Sequence, residues 1–518
     1  MALEIAFDPY APNLDALEWV EVTDIAAAIG AQVHGGNGKV RGAVIDNRVV
    51  RGGELFVAMP GFHVHGAKFG ADAATRGAGA VLTDAAGLSL LEGVDIPVIV
   101  AADVAHVAGE AAALAFGNPA AKLQVWGVTG TNGKTTTTYL LRHLLHRVGQ
   151  LSSLVGTVEA AVGKKTAPAF ITTPQAPQLQ AFAASTVQEH VSHMVVEVSS
   201  HALGMGRVDP LHFAVAGFTN LSQDHLDYHG SMEDYFQTKA SLFSEKRSDR
   251  QVIIVDDDWG KRLAEQLERS GQHDYVTLST NGMAADWMAT ITQLDGGYTQ
   301  LHLRCFDSKE ATVPVLMPGT FNAVNAALAI VMVVTGLSPS PRQIDGDILR
   351  RLTVNPIRLD VPGRMEQLSE SPRVIVDFAH NPDSTRILLE TLRISTKGRL
   401  LLVMGADGER DRGKRPLLGK IAAELADFTY LTDGDIHEEE PGGIRRDVME
   451  GFAGYEDKFV EVAPREVAIE KAIVEAEPLD TVVIAGRGHE PIMFIPGGQY
   501  DLDDRVVARE AIYKRQVD

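Results

Sequence analysis

The stretch Val125 to Thr136, V-W-G-V-T-G-T-N-G-K-T-T, limits what this chain can become more than any other. An apolar run enters a glycine-rich loop, and the loop opens a helical pattern. Leu140, Leu141, Leu144, Leu145 and Val148 fall on one face of it before Gly149 stops it. Strand, loop and helix in that order make a phosphate cradle. Backbone N–H groups turn inward around phosphate oxygens, the helix N-terminus adds partial positive charge, a lysine reaches a terminal phosphate and a threonine hydroxyl ligates Mg²⁺. Gly130, Thr131, Asn132, Gly133, Lys134, Thr135 and Thr136 are the residues so placed. The strict G-x-x-x-x-G-K-[ST] pattern would need glycine at 128, where this chain has Val128. The bland alternative is a glycine turn beside a surface lysine, and it leaves the flanking strand and helix unexplained.

A chain of 518 residues exceeds a single core, and its length suggests about three domains. The net charge of −21 argues against a nonspecific nucleic-acid binder, which needs a basic surface to displace counterions. Cys305 is the only cysteine, so no internal disulfide can form and a reducing cytoplasm is expected. No basic segment followed by an apolar run opens the chain, and no apolar stretch approaches the uninterrupted run of about 18 that spans a membrane. Neither secretion nor membrane partners are expected.

From about residue 20 to 107 short apolar runs alternate with glycine turns. Ala43–Ile45, Leu55–Met59, Ala80–Leu82 and Val98–Val100 read as strands, and Lys68–Arg76 as a helix. Asp46-Asn47-Arg48 and the Gly61–Gly66 loop with His63 and His65 lie at strand ends, where open α/β sheets bind ligands. Surface loops are the plain alternative. An alanine-rich helix near residue 108 begins a second region. There Met194–Val198 reads as a strand carrying Glu197 inside an apolar run, a costly place for a carboxylate unless it is paired or holds a cation. Glu197 is therefore a Mg²⁺ candidate. The loop Thr219–Gly230 is too rich in Asp and His for ordinary turn chemistry. Glu233–Phe243 reads as a helix containing Lys239, Val252–Val255 as a strand, and Ala289–Leu303 as β-like alternation. Asn322 and Asn325, three apart, share one side of the first turn of a helix over 326–334, unless they are simple caps.

Prolines at 339, 341, 356 and 362 mark a linker. Beyond it, Val374–Asp377, Leu400–Met404, Phe428–Leu431 and Val482–Ala485 are apolar runs separated by helical patterns, the signature of parallel strands buried on both faces. Each run ends in a polar loop, and all four loops can open on one sheet edge. The expected fold is α/β in three domains: 1–107, then a central phosphate-loop ATPase domain with a mostly parallel sheet at 108–361, then a Rossmann-like domain at 362–518.

Several stretches together resemble one family. G-T-N-G-K-T at 130–135, E-V-S-S-H at 197–201, T-N-L-S-Q-D-H-L-D-Y-H at 219–229, P-G-T-F-N at 318–322, G-R-M-E at 363–366 and D-F-A-H-N-P-D at 377–383 are similar, in the same order, to the Mur ligases, and nearest to their MurE branch. The resemblance runs from about Val44 to Glu490. It implies an ATP-dependent acid–amino-acid ligase of peptidoglycan precursor synthesis, which joins UDP-N-acetylmuramoyl-L-Ala-D-Glu to a diamino acid through an acyl phosphate. ATP and Mg²⁺ are the implied cofactors. By the same resemblance Lys134, Lys239 and His225 are catalytic, and Thr135, Glu197, His225 and Lys239 lie on the metal side. Lys239, which read without the family is an exposed helical lysine, is implied to be carbamylated to N6-carboxylysine. Asn322, Asn325, Arg364 and Asp377 are implied nucleotide contacts. Asp46, Asn47, His63, His65 and Gly66 would face the uridine end, and Thr172, Thr173, Ser199 and Arg207 the muramoyl peptide. Asn47 stands where the family usually has serine. A monomer is expected, with closure of the third domain completing the site.

The third domain chooses the amine. Members that add meso-diaminopimelate usually carry D-N-P-R after the strand matching Phe428–Leu431, and this chain has Gly434-Asp435-Ile436-His437 there. The arginine that grips the far carboxylate is missing, and a mostly neutral histidine is a weaker clamp. Asp435, Glu438, Glu439 and Glu440 add negative field, which favours a side chain ending in ammonium, so L-lysine or ornithine is expected over diaminopimelate. Arg410, Gly486 and Glu490 would hold the rest of the amino acid, and Arg410 is the alternative clamp. Two rivals are a folylpolyglutamate synthetase-like ligase, which would lack the first domain, and a phosphate-loop switch, which wants an N-K-x-D motif that the chain does not contain.

Overall fold

The computed structural model describes residues 7–61, 64–169 and 171–517. Among them, three principal sheets follow one another along the chain. The first has five strands in the order Gln32–His34, Val98–Val100, Ala80–Thr83, Leu55–Val57, Ala43–Val44, all parallel except its first member. The expected helix at 68–76 is a 3-10 turn, Gly66–Phe69, running into a short helix, Gly70–Thr75. The His65 ring begins this unit by accepting from the Ala67 N–H.

The second sheet has eleven strands. At its centre the phosphate-loop strand Gln124–Thr129 lies between His193–Glu197 and Phe213–Phe218, parallel to both. Strands enclosed on both sides by parallel neighbours and on both faces by helices can be apolar throughout, and Val125, Trp126 and Val128 are buried. The stretch expected as one alternating segment from 289 to 303 is a hairpin of Trp287–Gln293 and Thr299–Cys305, extended antiparallel by Glu310–Val315. At the opposite edge Glu159–Val162 and Lys165–Pro168 form another hairpin.

Helix Thr320–Leu337 is long and apolar enough to cross a membrane by length and composition alone. It lies instead inside the largest core cluster with the phosphate-loop helix Lys134–Arg147, as a helix without a polar face must when it belongs to a packed core. The proline-bearing linker is partly structured. Asp345 caps a helix, Gly346–Thr353, by accepting from Asp347 N–H at 2.8 Å.

The third sheet runs Glu366–Glu370, Arg373–Asp377, Thr481–Ala485, Leu400–Met404, Phe428–Leu431, Phe459–Glu461, parallel except at its first pair. Parallel pairing sends the loops after Asp377, Met404, Leu431 and Ala485 to one edge, as the apolar runs imply. Gly486 N–H donates to Asp377 O and Thr432 N–H to Met404 O, so these loops touch one another.

Candidate active site

The phosphate loop is held open by two glycines whose backbone no side chain would suit. Gly130 has φ +147° and Gly133 φ +88°; a Cβ on the first would sit 1.8 Å from Thr219 Oγ1, and on the second 2.4 Å from Asn325 Oδ1. Lys134 Nζ curls back over the loop and donates to Gly130 O at 3.1 Å and Thr131 O at 2.8 Å. Burial lowers its affinity for a proton, and Glu197 and Asp224 oppose that shift. A buried ammonium whose protein partners are backbone carbonyls is well placed to exchange them for phosphate oxygens.

Glu197 ends its strand 2% exposed. One oxygen accepts from Thr135 Oγ1 at 3.0 Å and the other from Thr157 N–H at 2.9 Å. Thr135 also accepts from Arg364 Nη2 at 3.3 Å, an arm from the third sheet's entry loop. Lys239, expected from sequence alone to be exposed, is 1% exposed, with Nζ donating to Gly130 O at 2.7 Å and lying over the Tyr235 ring. Burial first, and Lys134 next, push its amine well below the usual lysine range. His225, at φ +53°, stands edge-on to His201, and burial brings its imidazole down to about 3. Among the described residues no group of three His, Cys, Asp or Glu side chains forms a ready-made cation cage.

Asn322 and Asn325 are buried and neither caps the helix, whose N-cap is Gly319. Asn322 Nδ2 donates to Pro318 O at 2.7 Å, while Asn325 Oδ1 accepts from Thr137 Oγ1 at 3.4 Å against the phosphate loop. Asp377 accepts Met365 N–H and Ala379 N–H, one on each oxygen, which leaves lone pairs on both. The next group surrounds the outer side of Glu197. Thr172 accepts from Thr157 Oγ1, Thr173 Oγ1 donates to Glu197 O at 2.7 Å and accepts from Ser199 N–H, and Arg207 Nη1 donates to Thr173 O. Arg207 Nε is buried without a partner.

The first-domain residues bond to partners within their own unit. Asp46 pairs with Arg48, Asn47 Nδ2 donates to Asp72 at 2.7 Å, and His65 Nε2 lies 3.1 Å from Asp84. Gly66 packs against Met59 O, where a Cβ would come within 2.8 Å. His63 lies outside the described residues.

At the third sheet's loop edge the charges differ from the sequence expectation. Glu439 is neutralised by Arg415 and Arg412, Glu440 pairs with Arg446 while capping the helix Pro441–Met449, and Glu438 accepts from Gly497 N–H. The acidic run therefore adds little net field, because partners supplied by other segments offset it. What remains is Asp435, with two carboxylates the sequence did not bring forward as a set. Asp407 Oδ1 accepts from Asp435 N–H at 3.3 Å. Glu490 is pushed up to about 8 by burial and then by Asp435 and Asp407. Arg487, 1% exposed, anchors Asp435 from behind at 3.4 Å and reaches Asp504, which pairs with the buried Arg465. His437, at φ +50°, is stacked on Phe494 with centroids 5.3 Å apart. Gly486 has φ +113°, and Arg410 is exposed.

Asp407 and Arg487 had no signal in the sequence beyond lying in loops after strands. Asn381, Asp383 and Asp224 lay inside quoted motifs, and their role is legible only once the sheets are placed against each other.

Comparison with known proteins agrees along the whole chain. Residues 39–117 match a model described as Mur ligase family, catalytic domain; 128–333 match Mur ligase middle domain; and 363–488 match Mur ligase, glutamate ligase domain. A Corynebacterium glutamicum protein named UDP-N-acetylmuramoyl-L-alanyl-D-glutamate--2,6-diaminopimelate ligase is 40% identical over 476 residues, 89% of each chain. A Streptomyces coelicolor protein of the same name is 38% identical over 98% of this chain and 99% of its own. A Leifsonia xyli UDP-N-acetylmuramyl-tripeptide synthetase is 38% identical over 95% of each. Among solved structures, one of a UDP-N-acetylmuramoyl-L-alanyl-D-glutamate--2,6-diaminopimelate ligase is 29% identical, with TM-score 0.60 over 92% of this chain and 96% of that one. Motifs, sheet order and relatives converge: this chain belongs to the Mur ligase family.

Proposed function

We propose that the protein is a MurE-type ligase that uses ATP to couple UDP-N-acetylmuramoyl-L-alanyl-D-glutamate to a diamino acid, working in the cytoplasm as a monomer. Its working units are residues 1–107, 108–361 and 362–518. The observation that carries the reading is the convergence of Lys134, Thr135, Glu197 and Lys239 on one phosphate loop, with Arg364 of the third unit reaching Thr135.

The D-glutamyl carboxylate is a poor acyl donor. One of its oxygens bonds to the γ-phosphorus as the bond to the ADP oxygen breaks, giving an acyl phosphate. Lys134 exchanges its loop carbonyls for phosphate oxygens and neutralises charge on the migrating group. Thr172, Thr173, Ser199 and Arg207 flank Glu197 and hold the muramoyl peptide, so that its carboxylate meets the phosphate with little loss of orientation. The amine nitrogen then attacks the acyl carbon, phosphate leaves and the nitrogen gives up a proton. Asn322, Asn325 and Asp377 bind the nucleoside, and Asp46, Asn47, His65 and Gly66 face the uridine end.

The donor set fits Mg²⁺. Glu197 beside Thr135, together with neutral His225, matches a cation that takes few protein ligands and completes its shell with phosphate and water. Lys239 fits as a carbamate, because its amine is buried against the phosphate loop and burial lowers its hold on a proton, the direction that favours reaction with CO₂. The bound ion would supply charge neutralisation on the β- and γ-phosphates.

For the amine, Asp407 and Asp435, joined by the Glu490 carboxylate as pH rises toward about 8, favour a side chain ending in ammonium, and His437 is engaged with Phe494, so L-lysine or ornithine is the first reading. A second reading, meso-diaminopimelate, is favoured by the names of the relatives at 38–40% identity. Phosphate release is measured with Mg²⁺, bicarbonate, UDP-dipeptide and each of the three amino acids in turn. Turnover that requires both substrates, fastest with lysine or ornithine, is expected, along with the mass of one CO₂ on Lys239. Turnover indifferent to UDP-dipeptide and amine would refute the ligase, and exclusive use of diaminopimelate would reverse the specificity.

A further inference from the structure

The third sheet does not merely face the phosphate loop; one of its side chains is bonded to the loop. Asn381 is 1% exposed, and each polar atom of its amide has a separate partner. Its Oδ1 caps its own helix, Pro382–Ser395, by accepting from Ser384 N–H at 2.9 Å. Its Nδ2 donates to Asn132 Oδ1 of the phosphate loop at 3.2 Å and to Asp224 Oδ2 of the central sheet's loop at 3.4 Å. Asn132 returns the contact, its Nδ2 donating to Asp383 at 3.0 Å. The backbone around Asn132 is fixed from below, with its N–H on Asn220 Oδ1 and its carbonyl accepting from Thr219 Oγ1. Asp224, 7% exposed, also lies 3.7 Å from His380 Nε2. Of the nucleotide-side residues named above, Asn132 alone takes part in this joint.

We propose that Asn381 is a positioning residue that registers the third domain on the phosphate loop, with Asp224 and Asn132 as its receptors. The geometry demands an amide. Aspartate at 381 would keep the helix cap but turn both donors into lone pairs facing the Asp224 carboxylate and the Asn132 carbonyl oxygen. Like charges brought together away from water repel strongly. The joint would open, and Arg364 would lose its hold on Thr135. The acceptor substrate, held by the first two domains, would be untouched.

This inference rests on the ligase reading for its kinetic arm only. Full-length Asn381→Asp, Asp224→Asn and the double variant are compared by steady-state kinetics and by small-angle X-ray scattering with a non-hydrolysable ATP analogue and UDP-dipeptide. Asn381→Asp is expected to lower kcat at least about tenfold, with KM for UDP-dipeptide changed less than about twofold, and to enlarge the radius of gyration. In the double variant the amide at 224 donates to the carboxylate at 381, so kcat and compactness return most of the way. A merely structural role predicts no such exchange. Wild-type kcat in Asn381→Asp, or a double variant no better than its worse parent, would overturn the proposal. If Asn381→Asp does not fold, Asp383→Ala tests the same joint, with about a threefold fall in kcat expected and none counting against it. Should wild-type protein ligate nothing while scattering follows the expected pattern, the joint stands and the ligase reading falls.

Discussion

At the phosphate end the loop that cradles phosphate is one run of sequence, Gly130 to Thr136, aimed by backbone: two glycine turns, a helix start and a strand flanked on both sides set its shape. Glu197, Lys239 and Arg364 are brought to it from other segments. At the amine end Asp407, Asp435, Arg487 and Glu490 come from the loops after three separate strands, and Asp435 is aimed by side chains, through Arg487, Arg465 and Asp504. Backbone-aimed groups tolerate little change in the loop and serve chemistry common to any substrate pair. Side-chain-aimed groups can be exchanged one at a time. The reaction should therefore be robustly encoded and the choice of amine easily altered.

The sharpest way to break that contrast is Lys134→Met. Loss of the charge on the migrating phosphoryl group should reduce kcat by about 10³-fold or more while the melting temperature stays within a few degrees. A fall of less than tenfold would move the electrostatic burden to another group.

Glu490→Gln comes next. KM for the diamino acid should rise roughly tenfold with kcat much less changed. Because the Glu490 carboxyl is pushed up to about 8, the ammonium-binding carboxylate forms only as pH rises, so kcat/KM for the amine should increase through pH 8 and flatten in the variant. The sign for stability is opposite. The folded protein holds this proton where the unfolded chain has lost it, so the contribution to stability falls as pH rises from the ordinary carboxylate range to about 8. Titration of kcat/KM and of urea midpoints across pH 6–9 checks both.

The smallest effect is expected from His437→Arg. It should shift preference toward meso-diaminopimelate by a few-fold, about 1 kcal/mol, because Asp407 and Asp435 remain opposed to it. A complete switch would show that position 437 outweighs the acidic group.

Sequence patterns rendered the two ends unequally, for the same reason. The phosphate loop is a local device, so strand, turn and helix all leave marks within a short window. The buried parallel strands of the third sheet were equally legible, since apolar runs such as Leu400–Met404 have few other uses. The antiparallel hairpin at one edge of the second sheet, Glu159–Pro168, lacks that apolar signature, and the separate two-stranded hairpin Ile492–Asp501 has a single short apolar run that no buried neighbour marks as a strand. Pattern alone leaves Glu439 uncompensated because its partner Arg415 is supplied by a helix from another part of the chain, and it leaves Lys239 exposed because burial of a lysine is a property of tertiary packing. Asp224 and Asn381 illustrate the limit: each is an ordinary loop polar residue until two domains meet.

Strand His193–Glu197 has a consequence for how the molecule can move. It is zipped to the phosphate-loop strand on one side and to Ser152–Val155 on the other, so displacing the carboxylate at its tip would tear two ladders at once. Thr135 and Glu197 must then travel as a single rigid jaw whose bite is decided when the chain folds. A hinge used in turnover would lie outside that jaw, and the proline-studded span leads directly to Arg364, which reaches Thr135 from the third sheet's side.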